Sequence, residues 1–203
     1  MTSFALIRHG PTERNEQHRL QGQSDIPLSK KGEATVGCWQ VPAQYTTWKW
    51  YASTMTRAKQ TAAILGLKPD PAPDIVEMHW GDWEGKTRAE IEEEFGDSFR
   101  TRSVQGIDMR PPGGESPREV RARVLRWIES TADLGKPFGA VAHQGIIRAA
   151  LSLATGWEMI GPPPFAMDWA SVHIFTYDKT GGVEIDRFNV SLEEKGAIEL
   201  PIK

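Results

Sequence analysis

With 203 residues, 39% of them hydrophobic and 25% charged, the chain has the composition of a folded globular protein long enough to bury a substantial core. Those values exclude disorder and a coiled coil, and they favour one domain over residues 1–203. A formal net charge of -3 lacks the positive excess that draws a protein to nucleic acid or an anionic membrane, so neither is expected as a partner and any anionic ligand must be held by local charge. No stretch approaches the roughly 20 apolar residues of a membrane span, and the apolar run in "MTSFALIRHG" is too short for a secretory signal. A cytoplasmic location is expected. The single cysteine, Cys38, excludes an internal disulfide and a cysteine-rich metal site, and its apolar helical surroundings predict a buried structural thiol.

In chain order, "SFALI" reads as a buried strand and "LSKKGEATVGCWQ" as a helix with Ser29 at its N-cap. "WYAS" is a second short strand, and "TMTRAKQTAAILG" an alanine-rich helix closed by Gly66. The prolines of "LKPDPAPD" predict a connection without regular structure, leading to a short strand at "IVE". "TRAEIEEEFG" is a polar helix laid over the sheet, and "QGIDMRPPGGE" a loop. The clearest helix start is "ESPREVRARVLRWIES", where Ser116 as N-cap, Pro117 in the first turn and Glu119 form a capping box, and Val120, Val124, Trp127 and Ile128 mark one apolar face. "GAVAH" is a strand, "QGIIRAALSLATG" a helix, and "ASVHIFTYD" and "VEIDRFNV" two closing strands around the turn "KTGG". Strands alternating with helices predict an α/β sheet, mostly parallel, with helices on both faces.

Two strand ends carry histidine, at Arg8-His9-Gly10 and at Ala142-His143-Gln144-Gly145, and a third strand runs into "STMTRAKQT", where Arg57 begins a helix. On its own stretch, the first of these is equally well a strand reaching the surface. Taken together, parallel strands bring all three ends to the edge where ligands bind in such sheets. Two arginines beside two histidines do not suit a metal, because guanidinium groups repel a cation and do not ligate it. They suit a phosphate. Arginine offers paired planar donors, a glycine after each histidine lets backbone approach an anion, and the helix near Arg57 adds its positive end.

Six segments, "RHGPTERN", "RLQGQSDIPLSKKG", "STMTRAKQTA", "EMHWGDWEG", "PPGGES" and "AHQGIIR", occur in an order that resembles the histidine phosphatase superfamily, which includes cofactor-dependent phosphoglycerate mutases and small phosphatases such as alpha-ribazole phosphatase. The resemblance covers most of the chain and implies a three-layer αβα, phosphoglycerate mutase-like fold. It implies that His9 is a nucleophile that becomes phosphorylated, that Arg8, Asn15, Arg57 and His143 hold the phosphoryl oxygens, and that Gln21, Gly22 and Gln144 complete the substrate site. Glu77 is implied as the general acid, with Glu84 in "WEG" as the rival that supports the turn instead. No metal and no cofactor are implied.

The chemistry fits independently. An imidazole titrates near ~6.5, so its neutral form is available at neutral pH, and one nitrogen attacks while the other donates to a carbonyl. A covalent intermediate splits the hydrolysis into two displacements, and fixed cationic donors stabilise charge on the equatorial oxygens, a task magnesium performs elsewhere.

His18, His79 and His173 lack matching partners and read as surface or satisfied structural histidines. Trp80 and Trp83 flank the acid as packing or pocket wall, Arg14 and Arg19 as solvated surface or contacts to a second anionic group. Gly113, Gly114 and Glu115 form a loop bordering the site. Pro11 after Gly10 removes a backbone donor, and Gln144 stands where relatives often have a small residue. Three readings follow: a phosphomonoesterase acting on a small-molecule phosphate ester, a mutase shuttling phosphate between hydroxyls, and an inactive binding module. The short stretch from Trp83 to Pro112 favours water as acceptor, and the complete set of reactive residues argues against an inactive module. The apolar strands near the C-terminus close the sheet or pair with a second copy, so a homodimer is a possible assembly.

Overall fold

The computed structural model describes residues 1–194. Strand β1 (Thr2–Arg8) leads through a single turn α1 (Glu13–Glu16) to helix α2 (Lys30–Gly37), the short strand β2 (Trp39–Gln40), the turn α3 (Ala43–Thr46), β3 (Lys49–Ser53), helix α4 (Thr56–Ile64) and β4 (Asp70–Ala72). Helices α5 (Arg88–Ser103) and α6 (Pro117–Ala132) precede β5 (Phe138–Ala142), α7 (Gln144–Thr155), β6 (Ser171–Asp178), β7 (Gly182–Ser191) and the short β8 (Glu193–Glu194), which pairs with β2.

The main sheet has the order β4-β3-β5-β1-β6-β7. Its first four strands are parallel, and the hairpin β6–β7 is added antiparallel beside β1. Alternation along β1 explains the layering, since successive side chains leave a strand on opposite faces. Phe4 and Leu6 join Ala140, Phe175 and the apolar faces of α6 and α7, whereas Ala5 and Ile7 join Val141, Val172 and helices α2 and α4 through Val36, Ala58 and Ala62. Because β3, β5 and β1 run parallel, Ser53, Ala142 and Arg8 end at one edge of the sheet, and the segments that follow them meet there. Ser116 caps α6 in the expected capping box, with Pro117 in the first turn and Val120, Val124, Trp127 and Ile128 buried.

Three local expectations fail. The proline-rich "LKPDPAPD" contains β4, with Asp70 to Ala72 in register with Tyr51 to Ser53. Proline is tolerated because an edge strand is paired on one side only. "IVE" is not a strand: Pro73–Ile75 is a 3-10 turn, and Glu77 follows it in irregular chain. Helix α2 stops at Gly37, so Cys38 lies at the helix C-cap, exposed and free, and not in the core. The predicted polar helix runs longer than expected, to Ser103, with a break at Gly96. Among the described residues, no helix is long and apolar enough to cross a membrane.

Candidate functional site

The sheet edge holds a cavity of about 240 Å³ whose walls include Arg8, His9, Asn15, Gln21, Gly22, Arg57, Glu77 and Gln144. All the predicted site residues except His143 line it. His143 lies directly behind, fully buried, its ring 5.1 Å from that of His9 in an edge-on arrangement. Arg148 also lines the cavity; it follows Gln144 by four residues and so shares its helix face, a spacing signal that would have found it.

His9 is 4% exposed and its Nδ1 lies 2.7 Å from the Gly10 carbonyl oxygen. A carbonyl only accepts, so Nδ1 carries the proton and the Nε2 lone pair is left for chemistry. Burial, reinforced by the charges of Arg8 and Arg57, holds the imidazole well below the usual histidine range, so the ring is neutral at neutral pH. His143 is held low in the same way, first by burial and then by His9 and the arginines. Its Nε2 sits 2.8 Å from Ser53 Oγ while Nδ1 has no partner. For Nδ1 to donate to a ligand, Nε2 must accept the Ser53 hydroxyl proton, which makes Ser53 the residue that sets the tautomer. Sequence reasoning passed over Ser53, although it is the last residue of its strand.

Arg57 is fully buried at the start of α4, with its guanidinium anchored to Gly22 O at 2.8 Å and Ser24 O at 2.9 Å and its Nε unpartnered. The positive end expected for α4 is partly offset, since Asp25 accepts the Thr56 N–H and hydroxyl, both at 2.7 Å. Arg8 lies 4.8 Å from the ring centre of Trp169, and its Nε is likewise buried and unpaired. Burial lowers Arg8, Arg57 and Arg148, and in each case Glu77 is the leading opposing charge. Three guanidinium groups against one carboxylate leave the cavity with excess positive charge, the condition an anion would relieve.

Asn15 and Gln21 are oriented by Thr12, whose N–H donates to Asn15 Oδ1 at 3.1 Å and whose hydroxyl donates to Gln21 Oε1 at 2.8 Å. With both amide oxygens engaged, the NH₂ groups are the ones able to donate to a ligand. The glycines serve other ends than the anion contact expected of them. Gly10 donates its N–H to Thr61 Oγ1 at 2.9 Å, and a Cβ there would collide with Val36. Gly145 donates to Glu77 at 3.1 and 3.2 Å, and a Cβ would strike Glu77 Oε1. The N-terminus of α7 thus grips the Glu77 carboxylate, which also takes the Met78 N–H at 2.9 Å.

Glu84, the rival acid, is saturated: Oε1 accepts from Gln23 N and Trp80 N, and Oε2 from Ser24 N and Ser24 Oγ. It supports the Gly22–Ser24 turn that anchors Arg57. Arg19 lines the cavity but is engaged by Glu90 at 2.6 and 3.0 Å, and Arg14 reaches only Gln21 O at 3.5 Å. Glu115 bonds His79 N and ion-pairs with Arg123, so the glycine-rich loop packs against the Glu77 segment. His18 is exposed, and His79 faces Glu84 at 3.9 Å. His173 is buried in β6, accepting the Asn189 N–H at 3.3 Å. Trp83 is buried wall and core, and Trp80 is half-buried between two cavities.

A mostly parallel α/β sheet that assembles two neutral histidines, three arginines and a carboxylate at its edge defines a phosphoryl-binding class of protein. The chain matches the histidine phosphatase superfamily (branch 1) over residues 4–191 and belongs to that family. It is 33% identical over 179 residues to the glucosyl-3-phosphoglycerate phosphatase of Mycobacterium tuberculosis (strain ATCC 25618 / H37Rv), covering 78% of this chain and 79% of the relative. It is 29% identical over 164 residues to 2,3-bisphosphoglycerate-dependent phosphoglycerate mutase 2 of Gloeobacter violaceus, covering 74% of each. Among solved structures, a mycobacterial glucosyl-3-phosphoglycerate phosphatase complexed with VO3 superposes with a TM-score of 0.74 at 26% identity, covering 94% of this chain and 100% of that one. The alpha-ribazole phosphatase of Shigella flexneri shares the fold, with a TM-score of 0.76 at 20% identity over 95% and 100% of the two chains.

Proposed function

We propose that the protein is a metal-independent phosphomonoesterase that hydrolyses a small-molecule phosphate ester through a phosphohistidine at His9. The observation that carries this reading is the tautomer of His9: Nδ1–H donates to Gly10 O, leaving a neutral Nε2 lone pair in a cavity of excess positive charge. Nε2 attacks phosphorus, the ester P–O bond breaks, and its electron pair leaves on the alcohol oxygen, which takes a proton from the Glu77 carboxyl group. Water then attacks the phosphohistidine, Glu77 removes a proton from that water, and the P–N bond breaks to release phosphate and restore His9. Arg8, Arg57 and His143 hold the equatorial oxygens, with Asn15, Gln21 and Gln144 as further donors and Gly22 lining the site and anchoring Arg57. These groups supply the positive charge that magnesium brings to other phosphoryl transfers.

The mutase reading is favoured by the Gloeobacter relative, and the phosphatase reading by the higher identity to the mycobacterial phosphatase and by the VO3-bound neighbour. Assays of a phosphate-ester panel with and without 2,3-bisphosphoglycerate separate them. Hydrolysis is expected to persist in EDTA, and rapid quench to trap an acid-labile phosphoryl group on the unsubstituted enzyme and none on His9→Ala. Activity lost in EDTA and restored by magnesium would overturn the proposal.

A further inference from the structure

The chain between the end of α7 and the start of β6, residues 156–170, is irregular and carries a tryptophan near each end. The ring centre of Trp157 lies 5.1 Å from the guanidinium carbon of Arg148, and that of Trp169 lies 4.8 Å from the guanidinium carbon of Arg8. Both distances fall within the roughly 6 Å over which a ring face attracts a cation. Arg8 and Arg148 line the cavity beside His9, whereas neither tryptophan is among the described residues of its wall. Among the described residues, the two arginine side chains make no hydrogen bond and no close ion pair, and the Nε of each is buried without a partner. Long side chains of this kind lose much rotamer freedom when they are fixed. The indole face is the one directional contact that fixes each of these guanidinium groups.

A ring face differs from a carbonyl anchor in what it leaves over. Arg57 commits donors to Gly22 O and Ser24 O. An indole attracts the planar cation as a whole and accepts none of the N–H groups along its edge, so both Nη atoms keep their paired donors for phosphoryl oxygens. The tryptophans are themselves held in place. Trp157 O accepts the Ser152 hydroxyl at 2.7 Å, and the next carbonyl, of Glu158, accepts the Ile107 N–H at 2.7 Å. At the other end Asn189 of β7 accepts the Asp168 N–H at 2.9 Å and donates its Nδ2–H to Ala166 O at 2.7 Å. Asn189 sits where the register of β6 and β7 is irregular, with φ at +56°, a conformation asparagine adopts more readily than most residues. Trp169 also packs on the main core and meets the His173 ring edge-on. Resting on the phosphatase reading above, we propose that Trp157 and Trp169 are positioning residues, which hold Arg148 and Arg8 by their ring faces and keep the Nη donors of both aimed at the phosphoryl group.

The test is a pair of double-mutant cycles, read by calorimetric Kd for inorganic phosphate and by kcat/KM for ethyl phosphate. Trp169→Leu should weaken phosphate binding and lower kcat/KM by about 3- to 30-fold, the range a partly buried cation–ring contact supports. Trp169→Phe restores a ring face and should stay within about threefold of the unsubstituted enzyme. In an Arg8→Met background the further loss from Trp169→Leu should be less than about twofold, because the group it positions is gone. Trp157→Leu should behave alike with Arg148→Met. A tryptophan that serves only the fold would cost the same in both backgrounds, and that result would overturn the assignment. Asn189→Gly tests the same link if Trp169→Leu fails to fold, since Asn189 is exposed and glycine keeps the left-handed backbone while removing both side-chain bonds. It should cost severalfold alone and nothing further beside Arg8→Met; equal losses in the two backgrounds would again overturn the assignment. Coupled losses in phosphate binding, with no phosphohistidine formed by the unsubstituted enzyme, would overturn the phosphatase reading and leave the positioning role standing. Phosphohistidine formed with uncoupled losses would do the reverse.

Discussion

Replacing Arg57 by lysine isolates geometry from charge. The guanidinium carries five N–H donors, two of which are committed to Gly22 O and Ser24 O, leaving three for phosphoryl oxygens in a fixed plane. A lysine keeps the positive charge but has one nitrogen, which cannot hold the two carbonyls and span two phosphoryl oxygens. By comparison with removal of one preorganised donor, kcat/KM should fall on the order of 10²- to 10³-fold, or about 2.7–4 kcal/mol of transition-state stabilisation. The folded state should also weaken, by about 1–3 kcal/mol for each carbonyl the lysine leaves without a donor, because the buried cation remains and its desolvation is not relieved. The assay is single-turnover phosphoenzyme formation from an alkyl phosphate, with urea unfolding measured separately. Arg14→Ala is the control, since Arg14 makes one long contact at 3.5 Å to Gln21 O, and it should cost less than about threefold. Equal small losses at both positions would show that phosphate does not sit against Arg57.

Glu77→Gln should slow phosphoenzyme formation from an alkyl phosphate by roughly 10²- to 10⁴-fold and from a nitrophenyl ester much less, because a phenolate departs without a proton; Glu84→Gln discriminating between the esters instead would reverse the assignment. Glu84→Gln should appear mainly as lost stability, about 1–3 kcal/mol, since an amide NH₂ would face donors now satisfied by a carboxylate. His173, held by burial at about 4 against its ordinary 6.5, is protonated first in the unfolded chain, so its contribution is complete above pH 6.5 and is lost as pH falls toward 4. That amounts to about 3 kcal/mol over the window, and His173→Phe should flatten the pH dependence of urea unfolding by that amount; parallel profiles would contradict it.

What was legible in the sequence is what local chemistry dictates. The Ser116 capping box, the buried strand at β1 and the histidines at two parallel strand ends depend on neighbours in the chain, and they stand as read. What was not legible depends on distant partners. Strand β4 is specified by its register with β3, and no local preference of Asp70, Pro71 and Ala72 announces it. Gly10 looked like an anion contact because it follows a histidine, but Val36 and Thr61, far along the chain, define its role. Ser53 gains its meaning from His143, 90 residues later. Cys38 was misplaced because the buried face of α2 runs through Gly32 and Val36, and a residue two positions past Val36 falls on the opposite side.

Helix α5 and the segment around it bury their own cluster of Trp83, Ile91 and Phe99, apart from the two clusters that sandwich the sheet. Substitutions in separate packing units tend to add independently. Repacking among these three residues should therefore change stability without shifting the parallel strands that end at Arg8 and Ala142. The polar seam is the exception, because Glu84, one residue past Trp83, holds the Gly22–Ser24 turn that anchors Arg57, so a roof borrowed from a relative would have to bring that seam with it.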